Sequence, residues 1–250
     1  MKSLSLSQAP KQYKQGYTEF YKLKIKVTPD VLIPRPETEL LVDEVLKFYT
    51  LSPKPYTLLD VGTGSGNIAI SIAKYLGSNL EGCNVNIIAT DISSEALKVA
   101  QQNAKLHGVS DKITFIVSNL LEAFCHSGEG QNPALKDSGV VSLPRMTGDV
   151  IVTNLPYIPT ARIPYLDPSV KDFEPHIALD GGEDGFTLYR KLFEQISNLK
   201  WIPHLIMGEI DYTHGELASF EATKFFPKAR VEVKTDLTHK QRLLTINHSF

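Results

Sequence analysis

Apolar positions along the chain change period several times, and each change marks an element. Thr18 to Val27 alternates polar and apolar, which predicts one or two short strands near the N-terminus. From Glu37 to Tyr49 the spacing becomes helical, with Leu40, Leu41, Val45 and Leu46 on one face. Short apolar runs then alternate with helical patterns. Strands are expected at Thr57–Val61, Val85–Thr90 (ending at Asp91), Ile113–Val117, Asp149–Thr153 and His204–Glu209. Helices are expected at Asn67–Leu76, Ser94–His107 (closed by Gly108), Phe186–Leu199 and Gly215–Phe225. Arg230–Lys234 and Arg242–Ile246 form a last strand pair across a polar turn. The alternation predicts an α/β fold: seven strands, mostly parallel, with an antiparallel strand near the end and helices on both faces. Residues 1–33, with the short hairpin, are expected to form an N-terminal segment, and 34–250 the main domain.

Composition narrows the picture. Of 250 residues, 42% are hydrophobic and 22% charged, enough for one α/β domain with a sizeable core. A formal net charge of −2 argues against nucleic acid or an anionic membrane as the main partner. The Lys-rich run around Lys22, Lys24 and Lys26 reads as a solvated face. No stretch has the length and apolarity of a membrane span, and the N-terminus lacks a signal-peptide core. Two cysteines, Cys83 and Cys125, without metal-type spacing, suit a reducing, cytoplasmic setting, and the histidines show no ligand spacing, so no metal is expected. A monomer is the expected state. Between Cys125 and Gly148 lies a Gly/Ser/Pro/Asn-rich stretch read as a surface insertion.

Candidate chemistry sits at strand ends. Gly62-Thr-Gly64-Ser-Gly66 joins the strand at Thr57–Val61 to the next helix, where glycines let a ligand approach the backbone. A dinucleotide fingerprint wants its third glycine one position later, where this chain has Asn67, and a P-loop lysine is absent. Pyrophosphate is therefore disfavoured, and a ligand offering an amino-acid portion and a ribose fits better. Asp91, at the end of the second strand of the sheet, can accept hydrogen bonds from both ribose hydroxyls. Each feature alone has a bland reading: a structural turn for the glycines, a helix cap for Asp91, a turn residue for Asp60. Their order on successive strands resembles the S-adenosylmethionine site of class I, Rossmann-like methyltransferases. The resemblance implies that Asp60, Gly62, Thr63, Gly64, Ser65, Gly66 and Asp91 hold this cofactor. It places Asn119 and Leu120 against the adenine, although many members have Asp where this chain has Asn119.

The second constellation is Asn154-Leu155-Pro156-Tyr157, at the end of the buried run Val150–Val152. Pro156 cannot continue a central strand, so the chain turns there. An amide nitrogen is a poor nucleophile. Two acceptors aimed at its hydrogens, the Asn154 side-chain oxygen and the Leu155 carbonyl, would orient it and draw electron density onto it, and Tyr157 can stack on a flat group. Asn154, Pro156 and Tyr157 are the catalytic candidates. Asn154 to Tyr157 form the expected substrate site, with Asn154 also bordering the cofactor.

Taken with Val31-Leu-Ile-Pro-Arg-Pro-Glu-Thr-Glu39, Phe173-Glu-Pro175 and Ala178-Leu-Asp-Gly-Gly-Glu-Asp-Gly185, these motifs resemble the PrmC/HemK family from about Tyr13 to Ile246. The resemblance implies S-adenosylmethionine-dependent methylation of the glutamine side-chain nitrogen in the Gly-Gly-Gln motif of peptide chain release factors. Two departures stand out. The family usually has Asn-Pro-Pro-Tyr, with Pro where this chain has Leu155. It also usually carries an N-terminal helical bundle that helps dock the release factor, and too few residues precede Pro34 for one. Asn-Leu-Pro-Tyr also resembles the motif of ribosomal-RNA adenine dimethyltransferases, so an adenine N6 acceptor in RNA or DNA is the alternative; a non-catalytic S-adenosylmethionine-binding protein is the third reading.

Overall fold

The computed structural model describes residues 9–51, 56–79, 85–125 and 149–248. The insertion expected after Cys125 falls, from residue 126 on, outside them. A short helix that the polar N-terminal sequence did not signal, α1 (Lys11–Gln15), leads into an antiparallel hairpin of β1 (Tyr17–Phe20) and β2 (Leu23–Lys26). After the Pro-rich loop and a 3₁₀ turn at Pro36–Thr38 comes α2 (Glu39–Leu51). Its buried stripe is Leu41, Val45 and Tyr49 with Val42 beside them. Leu40 and Leu46, expected on that stripe, pack only at its margin.

The main domain then proceeds through β3 (Thr57–Val61), α3 (Asn67–Asn79), β4 (Asn86–Asp91), α4 (Ser94–Leu106), β5 (Ile113–Val117), α5 (Glu122–Cys125) and β6 (Val150–Thr153). The chain continues with α6 (Pro168–Lys171), α7 (Thr187–Asn198), β7 (Leu205–Glu209), α8 (Gly215–Phe225), β8 (Arg230–Thr235) and β9 (Gln241–Asn247). The seven-stranded sheet runs in the order β5-β4-β3-β6-β7-β9-β8. β9 is antiparallel to both its neighbours, and the other pairings are parallel.

The period-2 alternation of a strand separates two cores. Leu58 of β3, Val150 and Val152 of β6, and Leu205 and Met207 of β7 face one cluster, with α2 and α3. Leu59, Val61, Ile151 and Ile206 face the other, with Tyr189, Leu192, Phe193 and Ile196 of α7. Phe20 and Ile25 of the hairpin lie fully buried in the first cluster, so the hairpin packs on the same core as α2 and α3. No helix among the described residues is long and apolar enough to cross a membrane.

The strand order reverses between β3 and β6, where chain-order neighbours part to opposite sides. At such a switch point the loops leaving the two carboxyl ends diverge and leave a crevice. Val61 and Thr153 are register partners there, and the Thr153 hydroxyl donates to the Val61 carbonyl at 2.6 Å. Gly62 and Asn154 therefore leave the sheet side by side.

Candidate active site

A cleft opens above this switch point. Of the residues singled out in the sequence, its wall contains Gly62, Thr63, Gly64, Ser65, Asp91, Asn119, Leu120, Asn154, Leu155 and Pro156. Asp60, Gly66 and Tyr157 lie outside that wall.

The glycine loop is built by hydrogen bonds to the neighbouring strand. The Gly62 and Thr63 amides both donate to the Thr90 carbonyl, at 2.9 and 2.8 Å. The Gly64 amide donates to Asp91 Oδ2 at 2.8 Å, and the Ser93 amide to Asp91 Oδ1 at 2.9 Å. Each Asp91 oxygen thus accepts a backbone N–H, the Ile92 amide also pulls on the carboxylate, and lone-pair capacity remains for a ligand hydroxyl. Ser93, not Asp91, caps α4, its hydroxyl accepting the Ala96 amide. Burial pushes the Asp91 carboxyl above its ordinary value, against the pull of those amides. Gly66 serves packing. Its φ is +80°, and a methyl there would lie 2.9 Å from Ile70 Cδ1 and 3.0 Å from Ala100 Cβ, so the glycine lets α3 and α4 approach. Leu120 also has a positive φ, 55°, unusual for a side chain of its size, and this conformation accompanies its place in the wall.

Asp60 lies beneath the loop with no exposed surface. Its Oδ2 accepts the Thr63 hydroxyl at 2.6 Å and the Ala69 amide at 3.2 Å. Oδ1 has no partner among the described residues. Burial raises this carboxyl to about 7 from an ordinary 3.8, with the two hydrogen bonds opposing. The folded value therefore stands above the unfolded one. The stability it contributes is fully present below about pH 4 and is lost as pH rises through about 7. Asp60→Asn keeps an acceptor for Thr63 and Ala69 without the charge. Thermal melts of the ligand-free protein at pH 4 and pH 8 are expected to show a smaller decline for the variant than for the wild type; equal declines would contradict the assignment.

On the other side of the cleft, Asn154 Nδ2 donates to Glu209 Oε2 at 3.0 Å and to Thr38 Oγ1 at 3.1 Å. The Tyr157 hydroxyl donates to Glu209 Oε1 at 3.0 Å. Burial and the Glu209 charge push that phenol upward, so it stays neutral. Leu155 is 3% exposed and packs under the glycine loop, its Cδ2 in contact range of any side chain at Gly62.

The Gly-Gly-Glu-Asp-Gly segment lies directly behind this turn. A methyl at Gly181 would stand 2.7 Å from Tyr157 Cα and 2.8 Å from the Pro156 carbonyl oxygen. The Gly181 amide donates to the Ile158 carbonyl at 2.9 Å, and the Ile158 amide to the Leu179 carbonyl at 3.1 Å. Gly181→Ala is accordingly expected to cost about 1–3 kcal/mol by overpacking and to lower turnover by displacing the turn. Denaturant unfolding and methyl-transfer rates check both; an unchanged midpoint would contradict the packing argument.

Two motifs distant in sequence meet at the mouth. Arg35 Nη2 and Glu174 Oε1 are 2.5 Å apart, with the Glu174 side chain almost fully buried. Burial raises the Glu174 carboxyl while Arg35 pulls it down. The 34–38 loop and the 173–178 segment are thereby joined, and Arg35, Pro175 and Ile177 also line the wall. Sequence reasoning left the roles of Arg35 and Glu174 open and missed Thr38 and Glu209. The available signal for Glu209 was its place at the end of the strand expected at His204–Glu209, on the same sheet edge as Asn154.

These residues fit S-adenosylmethionine. Asp91 has acceptor capacity for a ribose, Leu120 is apolar wall, the glycine backbone lies open, and Asp60 Oδ1 is an orphaned buried acceptor near the loop. Among the described residues no group of three or more His, Cys, Asp or Glu could hold a metal ion.

Comparison with known proteins places the fold and the family. A family model described as a methyltransferase domain matches residues 53–131. Among solved structures, the N-terminal domain of human METTL16 in complex with SAH superposes with a TM-score of 0.57 at 15% identity, covering 92% of this chain and 77% of that one. A Pyrococcus furiosus methyltransferase gives 0.52 at 16%, covering 91% and 90%. At such identities these show the fold. Sequence relatives are nearer. The release factor glutamine methyltransferase of Moorella thermoacetica is 39% identical over 208 residues, 83% of this chain and 64% of its own length. That of Bacillus cereus is 36% identical over 237 residues, 94% of this chain and 75% of its own length. With identity of that level spread over nearly the whole chain, and with the cleft walled by its motifs, the protein belongs to the release factor glutamine methyltransferase family.

Proposed function

We propose that this enzyme transfers a methyl group from S-adenosylmethionine to the side-chain nitrogen of the Gly-Gly-Gln glutamine in peptide chain release factors, with Asn154 and Leu155 as the two acceptors that orient that nitrogen. When bound, S-adenosylmethionine supplies a methyl carbon already activated on a sulfonium. The protein therefore needs to position, not to generate, an electrophile. Gly62 to Ser65 and Asp91 hold the amino-acid and ribose portions, and Asn119 and Leu120 border the base. The Asn154 Oδ1 and the Leu155 carbonyl each accept one N–H of the substrate carboxamide. This turns the nitrogen lone pair toward the cleft and shifts electron density onto it. Asn154 is neutral, so the nitrogen keeps its protons until it takes the methyl carbon, whose bond to sulfur would break with its electron pair left on the thioether, and one proton then leaves to solvent.

The observation that carries this reading is the side-chain amide of Asn154. Both of its N–H bonds are directed to Thr38 and Glu209, which leaves the oxygen to face a ligand. An adenine amine would suit the same two acceptors, but the relatives at 36–39% identity are named for the glutamine reaction. Tyr157, with its hydroxyl on Glu209, supports the turn from outside the cleft wall. A monomer in a cytoplasmic setting is part of the proposal. The test is incubation with radiolabelled S-adenosylmethionine and, separately, a purified bacterial release factor and unmodified ribosomal RNA. Label mapped to the glutamine of Gly-Gly-Gln is expected; label in RNA alone would overturn the assignment.

A further inference from the structure

Glu209 ends β7, on the strand beside the one that carries Asn154, and is 2% exposed. Its two oxygens are occupied by neutral donors: Asn154 Nδ2 on Oε2 and the Tyr157 hydroxyl on Oε1. The Thr38 hydroxyl also donates to this carboxylate, which leaves Thr38 Oγ1 to accept the second N–H of Asn154. No salt bridge to Glu209 forms among the described residues. Its backbone is fixed too. The Tyr189 hydroxyl donates to the Glu209 carbonyl at 2.5 Å, and the Tyr189 ring fills the space that a side chain at Gly208 would need.

Burial raises this carboxyl, and Arg242 opposes that only through space; a buried carboxylate whose hydrogen-bond donors are all neutral is costly, and its chemistry explains what that cost secures. An asparagine amide is nearly symmetric in shape. Turned over, it would aim NH₂ at a substrate whose own nitrogen also carries hydrogens, and the contact would repel. A carboxylate only accepts, so it admits one of the two orientations. We propose that Glu209, with Thr38, is a positioning residue for methyl transfer: it holds the Asn154 amide with its oxygen toward the substrate and anchors Tyr157 at the other end of the same turn. This rests on the reading of Asn154 as an acceptor for the substrate carboxamide.

Glu209→Gln separates positioning from packing, since the two side chains have the same shape. The new amide can take the Tyr157 hydroxyl on its oxygen, but its NH₂ then faces the NH₂ of Asn154 and turns that amide over. With a release factor as substrate, kcat is expected to fall on the order of 100-fold. Melting temperature and S-adenosylmethionine affinity are expected to stay near wild type. Asn154→Asp alone sets two carboxylates against each other and is also expected to be defective. Combined, Asn154→Asp and Glu209→Gln exchange donor and acceptor across the same contact and still leave an oxygen toward the substrate. The double variant is expected to recover about tenfold over either single one, the size of a restored hydrogen bond to a charged group. Full kcat in Glu209→Gln, a loss that tracks melting temperature or cofactor affinity, or a double variant no better than the singles would each overturn the inference. Asn154→Ala keeps the two readings apart. If that variant turns over normally, the assignment of Asn154 itself fails. If it is inactive while Glu209→Gln is normal, only the role of Glu209 fails.

Discussion

Asn154→Ala is expected to reduce kcat by on the order of 100- to 1,000-fold while leaving S-adenosylmethionine affinity within a few-fold of wild type. The substitution removes the oxygen that accepts one substrate N–H. It also strands Glu209 and Thr38, whose bonds to Asn154 measure 3.0 and 3.1 Å. The fold should tolerate the change, because Asn154 is only half-buried at a strand end and the β6 ladder beneath it stays intact. Single-turnover transfer to a release factor at saturating cofactor, with calorimetric titration of the cofactor, separates the two quantities. A variant with normal turnover would remove the basis of the mechanism; one that lost cofactor binding in proportion would make Asn154 a cofactor-binding residue only.

The second large effect falls on the opposite wall. Asp91→Ala is expected to weaken S-adenosylmethionine by about 1–3 kcal/mol, the cost of losing hydrogen bonds to a charged group, or about 5- to 150-fold in Kd. Part of the loss is indirect, since the Gly64 and Ser93 amides lose their acceptor and the loop slackens. At saturating cofactor, kcat should change far less than Kd, because Asp91 touches no reacting atom. Calorimetry and transfer rates measured across cofactor concentration decide this. An unchanged Kd would place the ribose elsewhere.

The outline of this site was legible in the sequence for a physical reason. Glycine spacing, a strand-end acid and a proline-forced turn are local signals, and the chain order of strands and helices determines which strand ends come together. Gly62 to Ser65, Asp91 and Asn154 to Pro156 were readable in this way. What escaped notice depends on contacts between distant residues. Arg35 and Glu174 are 139 residues apart, and neither marks the other. Glu209 looks like any acid leaving a strand until the register of β6 on β7 brings it to Asn154. The glycines of the 181–185 segment mark a loop motif in the sequence, but that Gly181 is required by backbone pressed against it shows only in the fold. Gly66 completes the motif in the sequence, and its crowding against Ala100 shows only in three dimensions. Helix α1 lacked an apolar face to announce it and has no buried residue.

The pairing of Val61 with Thr153 separates two properties that enzymes often have to change together. Adjacent strands sit about 4.8 Å apart, and a one-residue slip would exchange the side chains that a strand presents to the two cores. The spacing between the methyl-donor loop and the acceptor turn is therefore set by the ladder. Exposed loops away from the strand ends take no part in that ladder and can be rewritten without touching it. A lineage could thus exchange one protein target for another while its reaction coordinate kept the same length.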